Sequence, residues 1–245
     1  MKPLKDRLKE KLKPLYHNLI DHTKDYCEGK VIIPFAVQWG KNFPEQENEG
    51  ILFVGKATNG WYNDDLDVEN MFKENYKDAI FNRPDQMTWV SDNSVEHYNT
   101  NNSAFWRVIR RVAREFASSE NELEQIAWTN VCKLAPDGGN PSNALYDKQL
   151  DDACLIFQTE VKILSPKYIV MFTGVNWGWD FLCALNNNGD PSPEQTKPTV
   201  EWVGYKTTPY IIDGRVVILT EHPQGKDEDA HTNCLISLIE KYKKL

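Results

Sequence analysis

Ile51-Leu52-Phe53-Val54-Gly55 is a short apolar run stopped by glycine, and its reading decides the fold. A continuous apolar run bounded by a turn residue suits a strand buried on both faces, as in a parallel sheet. Three further runs follow the same plan. Residues 126–129 lead into Asn130, residues 168–172 into Thr173-Gly174, and residues 216–219 into Thr220-Glu221-His222-Pro223. Helical periodicity lies between them, most plainly over residues 105–116, 144–164 and 230–245. Alternating strand and helix implies an α/β fold with a mainly parallel sheet and helices on both faces.

Working outward, residues 201–219 are broken at Asp213-Gly214 and read as strands joined by a tight hairpin turn. Residues 4–27 carry Leu4, Leu8, Leu12, Leu15, Leu19 and Ile20 at near-helical spacing. One or two amphipathic helices are expected there, interrupted at Pro14, with the Lys and Arg residues forming a solvated face. Residues 61–102 form one long irregular stretch rich in Asn and Asp, with a short helix expected near residues 68–81. No repeat, low-complexity tract or Ser/Gly linker divides the chain. A single domain over residues 1–245 is expected, with residues 1–45 as a helical extension packed on it.

The 245 residues include 28 Lys and Arg against 36 Asp and Glu, a formal net charge of −8. A hydrophobic content of 40% with eight Trp, ten Tyr and ten Phe excludes a mainly disordered chain. The apolar runs are strand-length, well short of the ~18 residues of a membrane helix, so no membrane partner is expected. The opening residues alternate charge with Leu, unlike a secretory signal. Cys27, Cys132, Cys154, Cys183 and Cys234 are too far apart for CxxC redox or zinc motifs. Reduced thiols in a cytoplasmic protein are the expectation. The acidic total argues against non-specific coating of nucleic acid and leaves room for a local basic site.

Ligands of open parallel sheets bind beyond the carboxyl ends of the strands. That rule selects residues 55–62, 130–136, 173–177 and 221–226. They offer Lys56, Thr58, Asn59, Asn130, Lys133, Asn176 and His222, flanked by Trp61, Tyr62 and Trp177. Amides, an imidazole and aromatic rings at one rim suit a planar, hydrogen-bonding ligand such as a nucleobase. Taken singly, Asn130 equally suits a helix cap and His222 a rigid turn before Pro223. A phosphate-loop reading of Gly50 to Ala57 fails because Ala57 stands where the Mg²⁺-binding hydroxyl belongs. The chain has no GxSxG elbow, no HExxH and no carboxylate–His cluster at metal spacing, so no metal is expected.

These segments, in this order, resemble the uracil-DNA glycosylase superfamily. ILFVG is similar to the strand and loop of its first motif, and NSAFWRVIRRV (residues 102–112) to the helix start of the mismatch-specific branch. WTNVCKLAP (128–136), SPKYIVMFTG (165–174) and LTEHPQG (219–225) resemble the second-strand, third-strand and terminal-loop motifs. The likeness covers roughly residues 50–245 and is loose within each piece. It implies a three-layer α/β/α sandwich around a four-stranded, mainly parallel sheet. It also implies a base flipped from DNA and released as an anion from an oxocarbenium-like sugar.

On matching positions Asn130 would read the base edge and His222 would stabilise the leaving base. Trp61 or Tyr62 would stack on it. Off the family's own position, Asn59, or Asp64 or Asp65 further along, would orient water where the loop path differs from the family's. Lys56, Lys133 and Lys226, at strand ends, are the candidate phosphate ligands. The sequence departs from the family where Lys56 and Ala57 replace the usual carboxylate or amide, Thr58 the usual Pro, and Gln224 the usual Ser. A lysine cannot orient water as a carboxylate does; it can bind a phosphate or, if its pKa is depressed, attack the sugar. The iron–sulfur cysteines of one branch are absent, so the resemblance implies no cofactor. The expected function is therefore a nucleobase-recognising protein, with DNA or a nucleotide as partner, acting as a glycosylase on a damaged base. The alternatives are an inactive nucleic-acid- or nucleotide-binding module and a hydrolase of a small nucleoside-type substrate. Arg107, Arg110, Arg111 and Arg114 line one side of a helix and suit either phosphate contact or ion pairs with Glu115, Glu120, Glu122 and Glu124.

Overall fold

The computed structural model describes residues 2–47, 49–58, 63–74, 81, 87, 90, 99–117 and 121–244. Four strands stand side by side and parallel: β4 (Ile126–Asn130), β3 (Ile51–Gly55), β6 (Tyr168–Met171) and β9 (Arg215–Leu219). They are the four runs that the sequence marks. The sheet is wider than the four strands expected, because antiparallel strands extend both edges to seven. β2 (Gln38–Trp39) pairs with β4, while β8 (Tyr205–Ile212) pairs with β9 and β7 (Val200–Trp202) with β8. Asp213 and Gly214 both take positive φ between β8 and β9, as a two-residue hairpin turn requires. A separate pair joins β1 (Ile32–Pro34) to β5 (Leu134–Pro136).

Side chains alternate across the sheet and build two cores. Leu52, Val54, Ala127, Ile169, Met171, Val217 and Leu219 face α1 (Leu4–Cys27), α4 (Asn143–Leu164) and α5 (Val175–Leu185). Ile51, Phe53, Ile126, Trp128, Val170, Val216 and Ile218 face α3 (Ala104–Phe116) and α6 (Glu228–Lys241). Helices thus cover both faces. The short helix α2 (Val68–Met71) interrupts the irregular stretch, which otherwise falls largely outside the described residues.

Pro14 does not interrupt α1, contrary to the sequence expectation. It lies on the exposed side, so the Glu10 carbonyl it cannot bond faces solvent, while Leu8, Leu12, Tyr16 and Leu19 stay buried opposite. The basic side chains of α1 are largely paired, Lys9 with Glu74 and Lys13 with Glu69.

One charged pair sits wholly inside the protein. Lys133 Nζ donates to both carboxylate oxygens of Glu160, at 3.0 and 2.8 Å, and to Thr129 Oγ1 at 2.8 Å. Thr129 in turn donates to Glu160 Oε2 at 2.7 Å, and neither charged side chain has any solvent exposure. Burial opposes both charges, pulling the lysine down and pushing the glutamate up in pKa, and their mutual contact counters that. From the same helix, Gln149 accepts from the Lys133 and Leu134 amides and donates to the Leu134 carbonyl. Two residues of α4 therefore clamp the chain as it leaves β4.

Removing one partner leaves a buried charge unpaired. Lys133→Met and Glu160→Gln are each expected to cost about 3–5 kcal/mol in urea denaturation, with the apolar double replacement recovering most of it. Single variants within about 1 kcal/mol of wild type would contradict this account.

Candidate functional site

The parallel block sets the carboxyl ends of β3, β4, β6 and β9 along one edge. The chain continues pairing past the strands there: Val131 N bonds Gly55 O at 3.0 Å and Cys132 N bonds Lys56 O at 2.9 Å. Asn130, the last residue of β4, is 1% exposed, and its Nδ2 has no hydrogen-bond partner among the described residues. It leans over Gly55 so closely that a Cβ there would lie 2.3 Å from Asn130 Oδ1 and 3.4 Å from Phe105 Cζ. Glycine is required by that approach.

Phe105, in the first turn of α3, meets Phe172 edge to face at 5.5 Å. It also packs on Trp106 and Trp128, and stacks with the imidazole of His222 at 5.8 Å and 10°. His222 Nδ1 accepts from the Gln224 amide at 3.2 Å, so in the neutral ring the proton sits on Nε2. Burial pushes its pKa down to about 4, with Lys56 and Lys226 adding to the effect. At neutral pH His222 is an uncharged hydrogen-bond donor beside an aromatic face.

Behind it, His231 is fully buried, stacks on Trp202 at 4.1 Å and bonds Thr220 Oγ1 through Nε2 at 2.9 Å. Thr220 bonds Thr207, which accepts from Trp202 Nε1. Burial, then Lys226 and His222, push the His231 pKa down to about 3.

Lys56 follows Gly55 at the rim, half-buried, with Nζ 5.8 Å from the Trp177 ring centre. Burial lowers its pKa, Lys226 lowers it further and Glu221 opposes them. The Glu221 carboxylate lies against Gly174, where positive φ starts α5. Lys226 Nζ lies 4.9 Å from the Tyr205 ring centre.

Of the residues selected from sequence, Asn130, His222, Lys56 and Lys226 meet at this rim. Asn59, Trp61 and Tyr62 lie outside the described residues. Lys133 needs correcting as a phosphate ligand, because its ammonium is buried against Glu160 and Thr129. The arginine stripe is also engaged. Arg107 grips Glu228, Arg111 pairs with Asp229, Arg114 with Glu122, and Arg110 bonds Asn101, Thr100 and the Val90 carbonyl. The pairs with Glu228 and Asp229 come from α6, and only the one with Glu122 is among those expected.

Two site residues went unselected in the sequence. Phe105 fits the apolar stripe of its helix and so reads as core. Glu221 is signalled only by standing immediately before His222 at a strand end.

No protein-family model matches the chain, and no curated protein does. The functional argument therefore rests on the crevice itself. A cavity of about 760 Å³ lies elsewhere, lined by Ser165, Asp213 and Arg215 among others, and shares no residue with it. Among the described residues, no group of three or more His, Cys, Asp or Glu is placed to hold a metal ion, and no helix is long and apolar enough to cross a membrane.

Both imidazoles bear a pH signature. Above the ordinary histidine value near 6.5 both are neutral, folded or unfolded; as pH falls below it the unfolded chain takes protons that the folded rings refuse. Stability is then expected to fall as pH drops from about 6.5 towards 4. In NMR titration the two rings should change charge with midpoints near 4 for His222 and near 3 for His231. A midpoint near 6.5 for either would show a ring open to water.

Proposed function

We propose that the crevice receives a single nucleobase, that the fold is a divergent uracil-DNA glycosylase fold, and that the chain breaks the N-glycosidic bond of the base it holds. The observation that carries this reading is the orphaned Asn130 Nδ2, buried beside the stacked Phe105 and His222 rings. A buried amide donor without a partner costs about 1–3 kcal/mol unless something completes it, and a base edge supplies the missing acceptor. The Phe105–His222 wall offers an apolar face against which a planar ring packs. Neutral His222 offers an Nε2–H donor to oxygen charge that develops as the base departs. The motif order across β3, β4, β6 and β9 supports the fold assignment.

A second reading, a free nucleoside or nucleotide as substrate, is favoured by one specific observation. The arginines of α3 are tied up, chiefly by Glu228, Asp229 and Glu122, so among the described residues Lys56 and Lys226 are the cations near the rim left to meet phosphates. Duplex DNA needs a run of such contacts, whereas one nucleotide needs a single one.

Base release measured on single- and double-stranded oligonucleotides containing uracil, hypoxanthine or xanthine, and on the matching nucleosides, tests both. Asn130→Ala and His222→Ala are each expected to slow release by roughly 100-fold or more, as loss of one donor to developing charge does. DNA binding, where present, should weaken with salt at a log–log slope no steeper than about −2, the value for two phosphate contacts. No release from any of these substrates, or release unchanged in both variants, would overturn the proposal.

A further inference from the structure

We infer that Lys56 is an amine nucleophile of the crevice, forming an imine with the C1′ carbon of the sugar whose base Asn130 holds. This inference rests on the base-binding reading and adds a covalent step, with an abasic sugar as the species captured.

The placement of the amine carries it. Lys56 is the residue after Gly55, the close-packed glycine over which Asn130 and the Phe105 ring are set, so its backbone stands at the rim beside the base site. Cys132 N holds the Lys56 carbonyl at 2.9 Å, fixing that departure point. The ammonium makes no hydrogen bond or ion pair among the described residues, in contrast to Lys133. Among the described residues its Nζ faces the Trp177 ring at 5.8 Å, and Glu221, His222 and Lys226 are coupled to it electrostatically. Lys226 is engaged over Tyr205.

The surroundings also favour the free amine. Burial and the second cation, Lys226, hold the Lys56 ammonium below the ordinary lysine range against the opposing pull of Glu221, a known route to nucleophilic lysines. Glu221, just past β9, is the carboxylate whose charge couples to Lys56.

The step balances without an oxidant or reductant. The Nζ lone pair forms a C–N bond to C1′ while the glycosidic C–N bond breaks, its electron pair leaving on the base. The base takes one proton released by the amine, with Glu221 as the nearby carboxylate able to relay it. The C1′–O4′ bond then opens, O4′ takes the remaining amine proton, and a C1′=N imine results. Water hydrolyses the imine to the ring-opened aldehyde and regenerates the amine.

Borohydride reduction decides the matter, because hydride delivered to the imine carbon leaves a permanent secondary amine. The full chain is incubated with a labelled oligonucleotide carrying a preformed abasic site, reduced, resolved on a denaturing gel and mapped by peptide mass. The expected result is an adduct on Lys56, lost in Lys56→Arg and retained in Lys243→Arg, an exposed lysine beside Lys167 at the amino end of β6, across the sheet from the rim. Absence of an adduct with wild type, mapping to another lysine, or an undiminished adduct in Lys56→Arg would overturn the inference. Mapping on wild type decides it even if Lys56→Arg folds poorly. Base release measured in parallel separates the two claims. Release with no adduct rejects the amine and leaves base recognition standing. An adduct at Lys56 without recognition of any base-containing substrate upholds the amine and rejects the base reading.

Discussion

The buried pair of Lys133 and Glu160 is the constraint on which the geometry of the crevice depends. It ties the turn after β4 to the C-terminal end of α4, with Thr129 as the third corner of the triangle. Gln149, one strand-turn along, fixes the next backbone amides. With both ends of that turn anchored, Asn130 has no freedom to swing its amide outward and is held over Gly55. Cys132 and Val131 then hand the same registration to the loop after β3 through backbone bonds to Lys56 and Gly55. Charges buried this deeply are seldom the most stable filling for a core. Their value here is positional, since an apolar replacement would fill the same space without directing the chain.

The opposite side of the crevice is positioned by packing. Phe105 is pressed between Phe172, at the end of β6, and His222, after β9. His222 is backed by a buried polar chain running through His231, Thr220, Thr207 and Trp202, which ties the β9 loop to β8, β7 and α6. One wall is thus set by ion pairing and the other by aromatic stacking. Between them stands an amide donor left unsatisfied among the described residues. Buried polar groups are satisfied almost everywhere in folded proteins, so an orphan at a strand end beside stacked rings marks a site for a ligand.

Legibility in the sequence followed the range of the interactions. Parallel strands announce themselves within a few residues, since burial on both faces demands a short, largely apolar run, and the strands at 51–55, 126–130, 168–171 and 215–219 are each built around one. The Asp213-Gly214 hairpin is equally local. The edge strands β2 and β7 are too short to carry a periodicity, and α5 reads poorly because Trp177, Gly178 and Trp179 blur its helical stripe. Pro14 misleads because its cost depends on which side of α1 it occupies. Lys133 misleads for a longer-range reason: nothing near it in sequence reveals that Glu160, a full helix away, lies opposite. The arginines of α3 belong to the same class, with two of their partners on α6.

Lys133 and Lys56 make the point about charge most sharply. They are joined almost directly, since Lys56 O bonds the residue before Lys133, yet their ammonium groups have different company. Lys133 meets a carboxylate at contact distance and stays there as structure. Lys56 faces an aromatic ring, with His222 and Lys226 coupled to it electrostatically and Glu221 beyond contact range. Pairing stabilises the charged form, whereas desolvation near a like charge favours the free amine. A phosphate ligand needs the first environment or open water, and a nucleophile needs the second. The net charge of −8 bears on this as well. Glu228, Asp229 and Glu122 are spent on neutralising the α3 arginines, so the acidic total does not reach the crevice as a uniform field. What reaches it is the local balance of Lys56, Lys226 and Glu221, and that balance, set by side chains from two different strand ends, governs the chemistry available there.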